Sequence, residues 1–365
     1  MTEWETKGVL KRNIMPWWTR PNTKKRPPGT DPWKKVLPPG AAEATVVQRH
    51  VSEVIKQLAL TASTPLRMVD AYKKVSFYSR KPDIVICPAK YASSESHPAA
   101  FNIIAVGDVK GRHSGSEFTD DEIGKIISFL IDLLRTRPDR NTATGFLTDS
   151  YIIQFIRVTI LRSVARVDYT CDVTQSYILH RAGTNTEPCG GDWLHTLLSQ
   201  DPAVLGCPTM ELVVDGSIVE IKSYLGEGSS SVVWLGRHKE CDVVVKIFRT
   251  GHESDLKAEI GNLNTVKNIK GVIKCIGSDH KSILLLSPVG TPFSSHGQGE
   301  TLLPSAEHFC QLLSILCSAH NLGLLHRDLS LSNFFLGADG KVRTAGSEVC
   351  MCCLCTYLRP LGVSK

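Results

Sequence analysis

Residues 241–249, CDVVVKIFR, place one lysine, Lys246, inside a run of β-branched and aromatic side chains. Such a run reads as a strand buried on at least one face. A cation held there without a counter-charge costs several kcal/mol, so a carboxylate or a phosphate must meet it. The following segment, ESDLKAEIGNLNTV at 253–266, has helical spacing and carries Glu259, with Ile260 and Leu263 behind it. Glu253 is the weaker partner because it falls at the helix start. A strand lysine answered by a helix glutamate requires a helix packed on a sheet, an α+β arrangement.

The surroundings of Lys246 extend the pattern. SIVEIKSYL, 217–225, reads as a strand running into GEGSSSVVWLG, where Gly226 and Gly228 let backbone N–H groups approach phosphates, Ser231 stands at a third loop position and Val233 fills the next apolar site. GVIKCIGSD, 271–279, and SILLLSPVG, 282–290, read as two further strands. EHFCQLLSILCSAHNLGLLHRDL, 307–329, is helical at first, with Phe309, Leu312, Leu313, Leu316 and Ala319 on one face, and it leads into His326-Arg327-Asp328 and Asn333. In this order the features resemble the protein kinase superfamily over residues 217–342. The resemblance implies that Gly226, Gly228, Ser231, Val233 and Lys246 bind ATP and that Glu259 holds Lys246. It further implies that Asp328, in the loop with His326 and Arg327, takes the proton of a Ser/Thr-type hydroxyl on a protein substrate, while Asn333 holds Mg2+.

The pattern then breaks. GADGK, 337–341, makes a hairpin turn with Asp339-Gly340 at its tip, so Asp339 reads as a turn residue and not as the D-F-G metal ligand of the family. From Val342 onward the sequence holds no Asp. The expectation is a complete N-lobe, an incomplete C-lobe, an uncovered apolar face at 309–319 and impaired phosphoryl transfer, a pseudokinase. Cys350, Cys352, Cys353 and Cys355 form two interleaved C-x-x-C spacings too crowded for one tetrahedral zinc ion. Residues 343–365 therefore read as a tail foreign to the domain, from a frameshift, a retained intron or a truncation.

The first half has a different character. Residues 41–60 place Val46, Val47, Val51, Val54, Ile55 and Leu58 at helical spacing; strands are expected at 75–79, 82–88 and 101–111, a helix at 120–137, and a strand pair at 145–160 turning near Thr148 to Ser150. Asp83 opens one strand, and Asp108 and Lys110 lie near the end of the next, on one sheet face by alternation. Two carboxylates meeting at a sheet edge hold Mg2+, and a lysine beside them orients the attacking water in phosphodiester hydrolysis. With PD at 82–83 and D-V-K at 108–110, this half resembles the PD-(D/E)xK restriction-endonuclease-like nucleases, an α/β core in which Glu53 would supply an extra acid. Residues 161–210 include a turn-rich stretch, TNTEPCGGDW at 184–193, which is read as joining the two globular parts, with the boundary near residue 200.

Residues 1–40 carry nine Lys or Arg against three Asp or Glu, seven of the nineteen prolines and four of the six tryptophans. They are expected to form a flexible basic arm in which Lys24, Lys25 and Arg26, with Lys11 and Arg12, serve as a nuclear-import signal or a phosphate-binding patch; a solvated linker is the plain alternative. No apolar run reaches the ~18 residues of a membrane span, and the scattered cysteines read as reduced, intracellular thiols. The organisation is thus a two-domain α+β chain: arm 1–40, nuclease-like 41–200, partial kinase-like 201–342, tail 343–365. A restriction-endonuclease-like module before a kinase-like module is similar to the Crinkler-type effectors of oomycetes and fungi and to fungal-type kinases, which implies action in a host nucleus. The functional alternatives are an ATP-dependent kinase lineage, a Mg2+-dependent nuclease cutting DNA, and a non-catalytic interaction protein.

Overall fold

The structure is a computed structural model that describes residues 10–14, 37–42, 46–61, 65–71, 81–92, 98–111, 117–162, 167–180, 187–207, 211–293, 304–324, 334–337 and 339–344. The expected strand at 75–79, the basic triplet 24–26, the HRD triplet, Asn333 and the cysteine tail lie outside these residues. The chain is a mixed α/β structure, with sheets predominating over a few helices, and divides into two compact units, Met1–Met210 and Glu211–Lys365. Among the described residues no helix is long and apolar enough to cross a membrane.

The first unit is built on one sheet. In chain order it holds β1 (Leu10–Ile14), α1 (Gln48–Thr61), β2 (Leu66–Asp70), β3 (Ile84–Pro88), β4 (Ala105–Val109), α2 (Asp120–Thr136), β5 (Thr142–Thr148), β6 (Ile152–Arg162), β7 (Val167–Thr174), β8 (Tyr177–Ile178) and α3 (Gly190–Leu198). The sheet order is β1-β7-β6-β5-β4-β3-β2, with β8 on β6; β4 runs parallel to β5 and β1 parallel to β7. The parallel β4–β5 step is bridged by α2, whose capping box at Thr119 and Glu122 closes the first turn and whose three leading acids favour the helix dipole. Ile123, Ile126, Ile127, Leu130, Leu133 and Leu134 form the apolar stripe of α2 and pack with Val85, Val106 and Leu147 on one sheet face. The opposite face, with Ile84, Ile86, Ala105 and Val109, packs against Val47, Val51, Val54 and Ile55 of α1.

Three expectations are corrected in this unit. Residues 1–40 are not wholly a flexible arm, because Leu10–Ile14 forms β1, and Arg12 lies 2.5 Å from Asp120 rather than belonging to a free basic patch. The segment 101–111 is not one strand: Ala100–Asn102 is a 3-10 turn, and β4 starts at Ala105. The turn-rich stretch 184–193 runs into a helix, α3, which buries Trp193, Leu194, Leu197 and Leu198.

The second unit holds β9 (Leu212–Val214), β10 (Ser217–Glu227), β11 (Ser231–His238), β12 (Cys241–Phe248), α4 (Glu253–Val266), β13 (Lys274–Ser278), β14 (Ile283–Ser287), β15 (Gly290–Pro292), α5 (Ala306–Asn321), β16 (Phe334–Gly337) and β17 (Val342–Thr344). One antiparallel sheet has the order β13-β14-β12-β11-β10-β9, and a small one the order β15-β16-β17. Leu256, Leu263 and Val266 of α4 pack with Val233, Val244, Phe248 and Leu284 of the larger sheet. On α5, Ile315, Leu316 and Ala319 are buried, whereas Phe309 and Leu313 are 47% and 59% exposed.

Candidate functional site

In the second unit the register of β11, β12 and β14 sets Val233 and Leu284 directly opposite Lys246 on either side. All three therefore share the face that α4 covers, and Lys246 is fully buried. Glu259, one turn before Leu263 on α4, comes down onto the same face and forms an ion pair and hydrogen bond with Lys246. Burial pushes the Glu259 carboxyl above its usual range, and the Lys246 ammonium opposes that rise. The ammonium also stands 4.7 Å from the centre of the Phe248 ring.

The glycine-bearing turn lies at the same end of these strands. Gly226 is opposite Val233 within the β10–β11 ladder, and the Gly228 N–H donates to the Ser231 carbonyl at 2.9 Å, so the turn closes over 228–231. Its base is held twice. Arg249, just past β12, lies 2.7 Å from Glu227, and its N–H donates to the Ser230 carbonyl at 2.8 Å. Sequence reasoning missed this Arg249–Glu227 clamp, because its two residues are separated by the β11–β12 hairpin. The structure thus brings together Val233, Lys246 and Glu259, with Gly226, Gly228 and Ser231 framing the turn beside them.

Asp339 sits in the β16–β17 turn, exposed, before Gly340 at φ +69°. Arg343 approaches it at 2.7 Å and holds its carboxyl below the usual range. An exposed carboxylate already paired with arginine is a poor magnesium ligand, and it is the last Asp in the sequence. Asn333 lies outside the described residues.

In the first unit Asp83, Asp108 and Lys110 are all buried and belong to the sheet face that α2 covers. Asp83 accepts the Val109 N–H at 2.9 Å, which docks the start of β3 on the end of β4. Lys110 Nζ is 2.5 Å from Asp108 Oδ2, without hydrogen-bond geometry, so that buried oxygen has no hydrogen-bond donor. A second lysine, Lys125 of α2, donates to Asp108 Oδ1 at 3.1 Å. Burial first, and then the neighbouring Asp108 charge, push Asp83 up to about 7. Lys125 was not legible as a site residue, since only tertiary packing carries it to Asp108; its place on the first turns of an amphipathic helix following D-V-K was the available signal.

Glu53 does not join this group. It is exposed on α1, the helix packed against the opposite sheet face, and makes no hydrogen bond or ion pair with Asp83, Asp108 or Lys110. Among the described residues no three His, Cys, Asp or Glu side chains cluster as a metal site. Asp108 meets an ammonium at each oxygen, Lys110 at Oδ2 and Lys125 at Oδ1, so a hard cation held by Asp83 and Asp108 would have to displace one of them.

Comparison with known proteins adds two findings. The family described as "Domain of unknown function (DUF6826)" matches residues 44–140, the segment holding Asp83, Asp108 and Lys110. The chain is 29% identical over 139 residues to "CBL-interacting serine/threonine-protein kinase 13" of Arabidopsis thaliana, covering 34% of this chain and 28% of that protein. It is 29% identical over 134 residues to "Sperm motility kinase Tcr mutant form" of Mus musculus, with the same 34% and 28% coverage. About a third of the chain is therefore kinase-like, and the chain spans 28% of the length of these curated relatives.

Proposed function

We propose that the chain is an ATP-binding, protein-kinase-like protein in which transfer of a phosphoryl group to a protein hydroxyl is impaired. The observation that supports this reading is the buried Lys246–Glu259 pair, with the glycine turn at the same strand end. Mg2+·ATP, when bound, brings the transferable phosphoryl group and the metal charge. Lys246 holds phosphate oxygens, Glu259 fixes the direction of Lys246, and Gly226 to Ser231 lets backbone N–H groups approach. Asp328 would accept the hydroxyl proton and Asn333 would ligate Mg2+. The impairment rests on the carboxylate expected after Asn333: Asp339 is turned into a hairpin and neutralised by Arg343. The test is Mg2+·ATP binding by the purified chain, beside Lys246→Ala and Asp328→Ala, with phosphate release followed in the same samples. Binding lost in Lys246→Ala and kept in Asp328→Ala, without turnover, supports the reading. No binding in the parent chain refutes it, and turnover abolished by Asp328→Ala refutes the impairment.

A second reading is favoured by one specific observation, the buried Asp83–Asp108–Lys110 group with Lys125. On this reading the first unit is a Mg2+-dependent nuclease of the PD-(D/E)xK kind acting on DNA. Asp83 and Asp108 would hold the cation that activates water, and Lys110 would steer that water. Cleavage of plasmid DNA that is lost in Asp108→Ala and unchanged in Lys246→Ala supports it; no cleavage in Mg2+ or Mn2+ removes it.

A further inference from the structure

The second unit holds a cavity of about 530 Å³ formed by the α4–β13 connection, the end of β14 and β17. Its cationic lining comes from Lys267, Lys270, Lys274 and Arg343, and no acidic side chain lines it. Among the described residues Lys267, Lys270 and Lys274 form no ion pair, and all three are exposed. Arg343 is shared with Asp339 at 2.7 Å. Ile269, Val272, Ile276 and Pro288 supply its apolar lining.

Lys267 and Lys270 follow α4 and would complement the roughly half negative charge at a helix C-terminus. Lys274 and Arg343 stand on strands and have no such duty. Three unpaired lysines against half a charge leave a local positive excess, with Arg343 shared between the cavity and Asp339, gathered around a concavity rather than strung along a groove. The walls are tied together: the Thr344 N–H donates to the Gly271 carbonyl at 3.1 Å, and Val272 bridges Thr344 in parallel. Gly271 has φ +97°, and a Cβ there would meet Ile315 of α5 at 2.4 Å, so the turn that carries Lys270 is fixed by close packing.

We propose that this cavity binds a small molecule bearing several phosphoryl groups. Its volume lies in the range of small-ligand pockets, about 300–1,000 Å³. One phosphate is satisfied by one or two cations, so three unpaired lysines with Arg343 beside them favour more than one phosphoryl group. A nucleic-acid backbone is tracked by an extended charged groove, which a single concavity does not supply.

The site is separate from Lys246 and does not depend on the ATP-binding reading. The experiment is calorimetric titration of the full chain with sodium tripolyphosphate, with sulfate, a phosphoserine peptide and a short DNA duplex as comparators. The variants are Lys270→Glu/Lys274→Glu, the milder Lys270→Gln/Lys274→Gln, and, as a control of equal charge change outside the cavity, Lys257→Glu/Lys281→Glu at two exposed positions. Tripolyphosphate binding that weakens about tenfold or more in the charge-reversed cavity pair, less in the Gln pair, and least in the control pair is the expected result. Binding that weakens equally in the control pair, or is kept at full strength in both cavity variants, overturns the proposal. So does binding of the peptide or the duplex but not of tripolyphosphate.

Discussion

Lys246→Met tests the buried pair without nucleotide. Lys246 and Glu259 are 0% and 2% exposed, so removing the ammonium leaves a carboxylate that water cannot reach. Breaking such a pair costs about 3–5 kcal/mol. Glu259 has one escape, protonation, because burial already raises its pKa and Lys246 is the main influence holding it down. In the variant its folded pKa rises further, while the unfolded value stays near 4.3. A folded pKa above the unfolded one means the native state binds the proton more tightly. The variant is then least penalised in acid and loses about 1.4 kcal/mol per pH unit as pH climbs from the unfolded value towards the folded one. The cost should be about 1 kcal/mol at pH 5 and about 3–5 kcal/mol at pH 8. Lys246→Met/Glu259→Leu, which removes both charges, should return to within about 1 kcal/mol of the parent. Urea unfolding at the two pH values, read by pulsed hydrogen exchange of the β12 amides, measures this directly. A pH-independent cost, or a double variant as unstable as the single one, would refute the reasoning.

Two further outcomes follow from the described geometry. Asp83, pushed up to about 7, favours folding only while protonated, so its contribution is lost as pH rises from about 4 to about 7. D83N keeps a carbonyl for the Val109 N–H and should make unit 1 more stable than the parent by about 2–4 kcal/mol at pH 8, with little difference at pH 4; urea midpoints that run parallel across this range would contradict it. Lys239 and Glu240, at φ +48° and +67°, fill both positions of the two-residue β11–β12 turn. Such positions favour Asn-Gly, so E240G should raise the stability of unit 2 by about 1 kcal/mol in the same unfolding assay, and a loss would show that the Arg237–Glu240 contact outweighs backbone strain.

The parts of the fold legible in the sequence were those written in local spacing. Thr119 with Glu122 and the 3.6-residue stripe of α2 announce that helix, and alternation along 105–110 separates Val109 from Asp108 and Lys110. A lone lysine among apolar neighbours announces its partner, because desolvation leaves no alternative. The rest depends on distance. β1 becomes a strand only by pairing with β7, and Lys125 reaches Asp108 only when α2 crosses β4. Helix α3 was hidden because two glycines open it, although Trp193, Leu194, Leu197 and Leu198 carry its spacing. Glu53 was misplaced because a helix's spacing does not tell which sheet face it will cover.

The parallel pairing of β1 with β7 sets an order of events during synthesis. Leu10 is opposite Cys171 and Ile14 opposite Thr174, so roughly 150 residues separate the two strands. At ribosomal rates of about 5–20 residues per second, β1 waits about 8–30 s before its partner exists. It can add to the sheet only after β7, the sixth strand to follow it in the chain, has been made. Until then β7 presents an unpaired edge to every other chain in the vicinity. Residues 10–14 therefore cover the β7 edge late, and a strand of five residues takes over as the border of the sheet from one of eight.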